Sequence, residues 1–242
     1  ARGGASPVRA AAIVPAAGRG ERLGPGEPKA LRDLAGQPLL AHAVRALAEA
    51  RSVDVIVVAA PAGEESRVSR LLHPVAGETE LHVVTGGQTR QQSVALALRA
   101  IPDDIDVVLV HDAARPLVPD EVIDAVTSAV RSGADAVVPA VPVTDTIKQV
   151  DTAGRVEATV DRSQLRAAQT PQGFARIVLD SAHRDAAEHG LEDASDDAGL
   201  VEHFGRPVMV IPGSEDGFKV TRPIDLLLAE AVLARRRSAG VH

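Results

Sequence analysis

The residues best suited to chemistry follow the first apolar run of the chain. Residues 10–14 (AAAIV) lead into residues 15–24 (PAAGRGERLG), and Pro28 and Lys29 come shortly afterwards. Glycine lets backbone N–H groups approach a ligand closely because it has no Cβ. Backbone amides that point into a concavity, with Arg22 and Lys29 beside them, are suited to binding a polyphosphate. The pattern therefore predicts a site for a nucleoside triphosphate.

Two common phosphate-binding motifs are absent. The dinucleotide fingerprint G-x-G-x-x-G would place a glycine at position 23, where the chain has Leu23. The P-loop needs Gly-Lys-Ser or Gly-Lys-Thr, and neither tripeptide occurs in the sequence. A glycine-rich turn alone also occurs at ordinary strand-to-helix connections. The arginine and the Pro-Lys pair at fixed spacing are therefore what favour a phosphate site.

Composition narrows the class of protein. The chain has 242 residues, 45% of them hydrophobic, which suits one large α/β domain over residues 1–242 with residues 1–7 expected to be disordered. A net charge of −7 and three Phe as the only aromatic residues argue against a nucleic-acid partner. The absence of cysteine excludes disulfides, thiolate metal sites and a cysteine nucleophile. No apolar run is long enough to span a bilayer or to form a signal peptide, so we expect a cytoplasmic protein without a membrane partner.

Strands and helices are predicted to alternate along most of the chain. Runs rich in valine and isoleucine predict strands, and apolar residues at helical spacing predict helices between them. Thr89 and Gln92 have the form of a capping box at a helix start. The predicted strands are 10–14, 53–60, 81–84, 106–110, 134–139 and 207–211, and the predicted helices are 38–50, from about 89, 120–132, 173–189 and from about 221. Such alternation is typical of βαβ units and predicts a doubly wound, mainly parallel, Rossmann-like sheet.

The alternation is interrupted at about residue 141. Residues 144–150 and 155–160 flank a turn at residues 151–154 (DTAG), which predicts a β-hairpin. An isolated hairpin with few large apolar residues is marginally stable. We therefore expect residues 141–165 to form a protruding β-arm that is stabilised against another subunit.

Small and charged residues follow several of the predicted strands. Ligands of open α/β sheets bind at the carboxyl ends of the strands, so these residues are expected to meet at one edge. They are Gly18, Gly20, Arg22 and Lys29 after the first strand, Gly86, Gly87, Gln88, Arg90 and Ser93 after the third, Asp112 and Arg115 after the fourth, and Lys219 near the last, with Thr146, Lys148, Arg162 and Thr170 from the arm region. Several cations at one sheet edge suit a triphosphate together with a second anion.

These segments resemble the methylerythritol phosphate cytidylyltransferase family. The resemblance lies in residues 15–24 with 28–29, 86–93, 110–116 (VHDAARP), 145–148 (DTIK), 169–174 (QTPQGF), 195–198 (SDDA) and 219–221 (KVT), in order from about residue 13 to residue 228. Nucleotidyltransferases in general share the first segment, whereas HDAARP, DTIK and TPQ are more particular to this family. The resemblance implies that the phosphate of 2-C-methylerythritol 4-phosphate attacks the α-phosphorus of CTP, which releases pyrophosphate in the non-mevalonate route to isoprenoids.

The resemblance also assigns a role to each matching position. It makes Arg22, Lys29 and Lys219 catalytic, as cations on the triphosphate and on the reacting phosphates. It implies nucleotide contacts from Ala16, Ala17, Gly18, Gly20, Gly87, Gln88, Ser93 and Asp112, and contacts with the acceptor substrate from Arg115, Thr146, Arg162 and Thr170. It further implies Mg²⁺ held mainly by the CTP phosphates, with no metal ligands from the protein, and a homodimer in which Thr146 and Arg162 reach the partner's site.

The residues agree with such a reaction. A phosphate nucleophile is already an anion, so the chemistry is mainly positioning and charge neutralisation and needs no strong general base. His111 is accordingly expected to be an oriented residue at a strand end. Ser195, Asp196 and Asp197 are interpreted as a helix N-cap with an acidic first turn.

Three positions depart from the family pattern, and several alternatives stay open. Leu31 replaces a common aromatic residue, Gln88 a common acidic residue and Ser195 the usual threonine, but none of these changes removes a cation.

The alternatives are a cytidylyltransferase for another polyol phosphate such as ribitol 5-phosphate, a sugar-phosphate or molybdopterin-type nucleotidyltransferase, and a catalytically silent nucleotide-binding regulator. The intact Arg22, Lys29 and Lys219 argue against a silent regulator, and Leu23 argues against an oxidoreductase.

Overall fold

The computed structural model of the protein describes residues 8–18, 28–191 and 194–240. The expected disorder of residues 1–7 and the predicted roles of Gly20 and Arg22 fall outside the described residues. No helix in the described ranges is long and apolar enough to cross a membrane.

A mixed, mainly parallel eight-stranded sheet forms the centre of the fold. The twelve strands of the described residues are β1 (Arg9–Pro15), β2 (Asp33–Leu34), β3 (Gln37–Pro38), β4 (Val55–Ala60), β5 (Glu80–Thr85), β6 (Ile105–Val110), β7 (Ala136–Pro142), β8 (Ile147–Val150), β9 (Val156–Val160), β10 (Arg166–Ala168), β11 (Gln172–Ala175) and β12 (Val208–Pro212). Of these, β2 pairs with β3 and β8 with β9 in two separate two-stranded sheets. The eight-stranded sheet has the order β10-β7-β11-β6-β1-β4-β5, with β12 paired to β7. Strands β10 and β11 run antiparallel to their neighbours, and the other pairs of this sheet are parallel. The predicted doubly wound, mainly parallel sheet is confirmed.

Helices cover both faces of this sheet. They are α1 (Leu39–Glu49), α2 (Glu65–Ala76), α3 (Arg90–Leu98), α4 (Asp120–Arg131), α5 (Arg176–Glu188), α6 (Asp197–His203) and α7 (Pro223–Ser238). Successive side chains of a strand point to opposite faces. Ala12 and Val14 of β1 accordingly pack with α1, α2 and α4, whereas Ala11 and Ile13 pack with α3, α5 and α6. Because both faces are covered, β1 and β4 are apolar along their whole buried length.

Local signals placed several helix starts correctly. The Thr89 side chain accepts from the Gln92 N–H, and the Gln92 side chain accepts from the Thr89 N–H, which is the predicted capping box of α3. The Asp196 carboxylate caps α6 by accepting from the Gly199 N–H at 2.9 Å, with Asp197 in the first turn, as the sequence predicted. Pro223 occupies the first turn of α7.

The predicted helix 173–189 begins too early. Residues Gln172–Ala175 form β11, which is inserted antiparallel between β6 and β7, and α5 starts only at Arg176. Phe174 is fully buried there, and a Cβ on Gly173 would lie 2.5 Å from Cγ1 of Val126 in α4. A four-residue strand is too short to show a period in the sequence. The sequence prediction also omitted α2 and β10.

The predicted hairpin is present and stands apart from the central sheet. Strands β8 and β9 pair only with each other, antiparallel, in the two-stranded sheet that they form. The Asp151 carboxylate accepts from the N–H groups of Ala153 and Arg155, both at 2.9 Å, and holds the turn. The side chains of Val150 and Val156 are exposed. This exposure is the property expected of an arm that packs against a second subunit.

Candidate active site

A cavity of about 210 Å³ lies at the carboxyl edge of the sheet. Its lining comes from the loops after β1 and β6, the start of α3, and the segments around Lys29 and Lys219. The lining residues are Pro15, Ala16, Ala17, Gly18, Lys29, Ala30, Arg90, Ser93, Asp112, Ala113, Ala114 and Lys219. Eight of the residues predicted from the sequence therefore meet here: Ala16, Ala17, Gly18, Lys29, Arg90, Ser93, Asp112 and Lys219.

A larger cavity of about 500 Å³ lies elsewhere, between α3 and α5. None of the predicted site residues lines it. The smaller cavity is therefore the candidate active site.

Small residues let two loops approach each other at one wall of the site. The Ala16 N–H donates to the Ala59 carbonyl at 2.8 Å, and the Gly86 N–H donates to the Ala60 carbonyl at 2.7 Å. A Cβ on Gly86 would lie 2.5 Å from the Cβ of Ala17. The loop after β5 can thus lie against the loop after β1 only because position 86 is glycine.

Ser93 joins this wall to the start of α3. Its hydroxyl accepts from the Gly87 N–H at 3.0 Å and donates to the Thr89 carbonyl at 2.9 Å. The Gln88 N–H donates to Oε1 of Gln92 at 3.0 Å, and the Gln88 side chain is exposed. Ser93 lines the cavity, whereas Gly87 and Gln88 are not among its lining residues. Their contacts with a nucleotide stay predictions.

Asp112, which follows β6, is a charge centre of the site. Its Oδ2 accepts from the Lys219 Nζ at 2.7 Å, and its Oδ1 accepts from the Arg90 Nε at 3.3 Å. Burial opposes ionisation of this carboxyl, but the Arg90 guanidinium and the Lys219 ammonium outweigh it and hold the pKa of Asp112 far below its ordinary value. Asp112 is therefore a carboxylate that fixes two cations at the cavity.

Arg90 extends the charged network behind the cavity wall. Its Nη1 donates to Oδ2 of Asp197 at 2.7 Å, and Oδ1 of Asp197 lies 2.8 Å from Nε2 of His183. Burial acts to lower the pKa of Arg90, but Asp197 and Asp112 outweigh it and raise that pKa. The sequence pattern predicted Arg90 among the cations at this sheet edge, but the family resemblance assigned it no specific contact. The pairing of Asp197 with Arg90 and His183 was not predicted, although the SDDA motif marked the segment.

His111 is buried and acts as a structural connector. Its Nδ1 lies 3.0 Å from the Thr170 hydroxyl, which itself accepts from the Asp112 N–H at 3.0 Å, and its Nε2 lies 3.0 Å from the Arg115 carbonyl. Burial lowers the pKa of His111 to about 4, so the ring is neutral near pH 7. A neutral ring that accepts from Thr170 and donates to Arg115 satisfies all of these contacts. His111 is an oriented residue at a strand end, as the sequence predicted.

Arg115 and Thr170 are not among the residues that line the cavity. The Arg115 guanidinium donates to the Gly217 carbonyl at 2.7 Å and to the Ala168 carbonyl at 3.0 Å. Its Nε is buried without a hydrogen-bond partner among the described residues. The Thr170 side chain is buried against His111 and Asp112. Both residues therefore fix the loops of the site, and a direct contact with a substrate stays a prediction for each.

The two predicted arm residues lie apart from the cavity. Thr146 and Arg162 are exposed and do not line it, and Arg162 donates to the Thr144 carbonyl within the arm. Their predicted place in a partner's site stays a prediction.

The cavity joins an apolar wall of small residues to a cationic one. Ala16, Ala17 and Gly18 provide the first, and Lys29, Arg90 and Lys219 provide the second. Preorganised cations in a partly enclosed site stabilise charge that develops on phosphate oxygens. Within the described ranges, no group of three or more His, Cys, Asp or Glu side chains is placed to hold a metal ion. The arrangement suits phosphoryl chemistry on a nucleotide.

Comparison with known proteins agrees with this geometry. The family model described as 2-C-methyl-D-erythritol 4-phosphate cytidylyltransferase (IspD) matches residues 10–235. A protein of that name from Streptomyces coelicolor is 56% identical over 242 aligned residues, which cover 97% of this chain and 88% of that protein. One from Frankia casuarinae is also 56% identical, over 96% of this chain and 83% of that protein. The crystal structure of the Thermus thermophilus enzyme of the same name superposes with a TM-score of 0.74 at 37% identity and covers 91% of this chain and 97% of that one.

Proposed function

The chain belongs to the 2-C-methyl-D-erythritol 4-phosphate cytidylyltransferase family, and on that premise we propose that it transfers a cytidylyl group from CTP to 2-C-methyl-D-erythritol 4-phosphate. The products are 4-diphosphocytidyl-2-C-methyl-D-erythritol and pyrophosphate. The observation that carries the proposal is the cavity in which Lys29 and Lys219 line the same space as the small residues after β1.

The reaction is a displacement at the α-phosphorus of CTP. An oxygen of the acceptor phosphate forms a bond to that phosphorus, the bond to the bridging oxygen breaks, and pyrophosphate leaves with the electron pair. The nucleophile is an anion and needs no base. His111 is buried and neutral with both ring nitrogens engaged, which fits this requirement.

Lys29 and Lys219 are proposed as the cations that neutralise charge in the transition state. Lys219 is held at 2.7 Å from Asp112, so its ammonium is already oriented before a phosphate arrives. Preorganised donors avoid the cost of reorganisation at the moment of reaction. Arg22 is proposed as a third cation by its position in the family motif.

The remaining site residues are proposed in two groups. Nucleotide contacts come from the backbone and small side chains of the cavity together with Asp112. These residues are Ala16, Ala17, Gly18, Gly20, Gly87, Gln88 and Ser93. Arg115 and Thr170 are proposed to contact the acceptor substrate, and Thr146 and Arg162 are proposed to reach the substrate phosphate in the partner subunit's site. We also propose a homodimer of single-domain chains joined through the arm at residues 141–165, and a cytoplasmic location.

Mg²⁺ is proposed to bind together with CTP. Asp112 is the carboxylate among the described lining residues, and both of its oxygens already accept from Arg90 or Lys219. This donor set fits an ion held mainly by phosphate oxygens and water, with at most one protein oxygen. When bound, the ion would neutralise part of the triphosphate charge.

Release of pyrophosphate tests the proposal. The enzyme is assayed with Mg²⁺ and CTP against 2-C-methyl-D-erythritol 4-phosphate and ribitol 5-phosphate, and ATP, GTP and UTP replace CTP in parallel. The Lys29→Ala variant is the control. Release only with CTP and the methylerythritol substrate, and its loss in the variant, would support the proposal. Release with ribitol 5-phosphate would change the acceptor, and CTP binding without any release would favour a silent regulator.

A further inference from the structure

We propose that Asp197, which does not line the cavity, is a positioning residue that determines where the Lys219 ammonium lies, acting through Arg90 and Asp112. The inference rests on the proposed function and deepens it, because Lys219 is one of its proposed catalytic cations. Asp197 is the first residue of α6, and its side chain is only 1% exposed.

An unbroken series of polar contacts joins Asp197 to Lys219. The Lys219 Nζ lies 2.7 Å from Asp112 Oδ2, Asp112 Oδ1 lies 3.3 Å from the Arg90 Nε, and the Arg90 Nη1 lies 2.7 Å from Asp197 Oδ2. Positive and negative groups alternate along the series. Each carboxylate uses one oxygen for each neighbour, so a change at one end alters the balance of charge at the next.

The two contacts of Arg90 are unequal. The contact with Asp197 is 2.7 Å and the contact with Asp112 is 3.3 Å, so the guanidinium is bound more closely by Asp197 than by Asp112. A guanidinium is a planar fork that is never deprotonated, and it pairs readily with both oxygens of a carboxylate. Without the charge of Asp197, Arg90 would turn toward Asp112 and take the Oδ2 that now holds Lys219.

Asp197 is itself anchored from two sides. His183, on α5, lies 2.8 Å from its second oxygen, and the His183 side chain is 5% exposed. The neighbouring Asp196 accepts from the Gln172 amide at 2.7 Å and from the Gly199 N–H at 2.9 Å. The carboxylate that orients Arg90 is therefore fixed by contacts that involve helices α5 and α6 and strand β11 of the central sheet.

A purely structural role is the alternative, since removing one partner of a buried ion pair costs stability on its own. A double-mutant cycle separates the two roles. If Asp197 acts through Lys219, Asp197→Asn lowers kcat by about 10- to 100-fold in the wild type, as a misplacement of about 1 Å would. The same change then lowers kcat by less than about twofold in the Lys219→Ala background. Equal losses in both backgrounds would overturn the proposal.

A matched control and a conservative pair accompany the cycle. Asp124→Asn removes another carboxylate, on α4, that accepts a hydrogen bond from the Ser52 N–H at 3.0 Å. The effect of this substitution on kcat should be the same in the wild type and in the Lys219→Ala background. His183→Gln keeps a donor for Asp197, whereas His183→Leu removes it. If Asp197→Asn fails to fold, retention of kcat in His183→Gln and its loss in His183→Leu supports the proposal. Equal kcat in the two variants overturns it.

The NMR signal of the Lys219 ammonium can be measured without turnover, so it tests the positioning role separately from the proposed reaction. The chain has three lysines, Lys29, Lys148 and Lys219. In protein labelled with ¹⁵N-lysine, the ammonium signal of Lys219 is assigned by its absence in Lys219→Ala. Asp197→Asn should shift or broaden that signal, and Asp124→Asn should leave it unchanged. An unchanged Lys219 signal in Asp197→Asn would refute the positioning role even if the proposed reaction is confirmed. The signal can also be read if the enzyme shows no turnover, so failure of the proposed reaction does not affect this test.

Discussion

The ammonium of Lys219 lies 2.7 Å from a carboxylate oxygen of Asp112, although 107 residues separate them in the sequence. The contact joins the loop after β6 to the segment before α7. The Val220 N–H, which donates to the Ala114 carbonyl at 2.7 Å, fixes the same two segments next to it. The cation is therefore placed by tertiary structure before any substrate binds.

Loss of the Lys219 cation should be costly to the reaction. Lys219→Ala is expected to lower kcat by about 10²- to 10³-fold, the loss typical of one preorganised charge-stabilising group. Steady-state pyrophosphate release with CTP and the acceptor phosphate measures it. Arg70→Ala, an exposed cation on α2, is the control and should keep full activity. A loss of less than twofold in Lys219→Ala would contradict a catalytic role.

Two glycine variants separate packing from ligand contact. Gly86→Ala would place a Cβ 2.5 Å from that of Ala17, so overpacking should cost about 1–3 kcal/mol of stability. A Cβ on Gly18 would meet nothing within 4 Å, so Gly18→Ala should keep the melting temperature of the free protein. Gly18→Ala should nevertheless reduce the increase in melting temperature that CTP causes, because the backbone at position 18 is expected to approach the nucleotide.

Thermal shift measures both glycine effects, with an external dye because the chain has no Trp or Tyr. In the wild type, CTP at 100 times its dissociation constant should stabilise the fold by about 2.7 kcal/mol. An undiminished CTP effect in Gly18→Ala would count against a close backbone contact at that position.

His111 should make stability depend on pH in a specific window. Its pKa of about 4 in the folded protein lies below the ordinary value of 6.5, so the unfolded chain binds more protons between these pH values. Stability contributed by the neutral ring is therefore present above pH 6.5 and is lost as pH falls toward 4, by about 3 kcal/mol in total. Urea unfolding of the wild type and of His111→Gln at pH 4, 5, 6 and 7 measures this loss. The slope should be smaller in the variant, and identical slopes would contradict the assignment.

Asp225 should act in the same direction as His111, with stability lost on acidification, but in a lower pH window. Burial opposes its ionisation, but donors on Thr221 and Arg222 outweigh that effect and lower its pKa to about 2. Its Oδ2 accepts from both N–H groups, at 2.9 and 2.8 Å, at the start of α7. Asp225→Ala should cost about 1–2 kcal/mol at pH 7, the usual value for a lost helix cap. The difference in melting temperature from the wild type should be complete above pH 4 and shrink as pH falls toward 2, and a constant difference would refute the charge contribution.

The proposed exchange of arms can be tested by complementation. If Arg162 of one chain serves the partner's site, a mixture of Arg162→Ala and Lys219→Ala chains forms hybrid dimers with one intact site each. Random mixing in equal amounts should restore about a quarter of wild-type activity, because half of the dimers are hybrids. Recovery after joint refolding, compared with each variant alone, is the measurement. Absence of recovery in confirmed hybrids would place Arg162 in the site of its own chain or in none.

The sequence by itself determined the order of most elements and the chemistry of the site. Buried strands such as β4 carry an unbroken apolar run, and α3 carries its own capping box, so both could be predicted from local patterns. The order of the motifs sufficed to indicate the family. Cations after glycine-rich loops indicated phosphates because charge and backbone access are properties of residue types.

Only the tertiary structure decided which of these residues meet. The contact of Arg90 with Asp197 spans 107 residues, and Thr170 proved to be a buried partner of His111 instead of a visible part of the cavity wall. Residues Gln172–Ala175 form a strand because they pair with β6 on one side and β7 on the other. Their own sequence shows no alternation of apolar and polar residues that would predict a strand. Local patterns report on the residue and its near neighbours. Partners distant in the sequence are set by how the sheet and its helices pack, and that packing places the charges that orient Lys219.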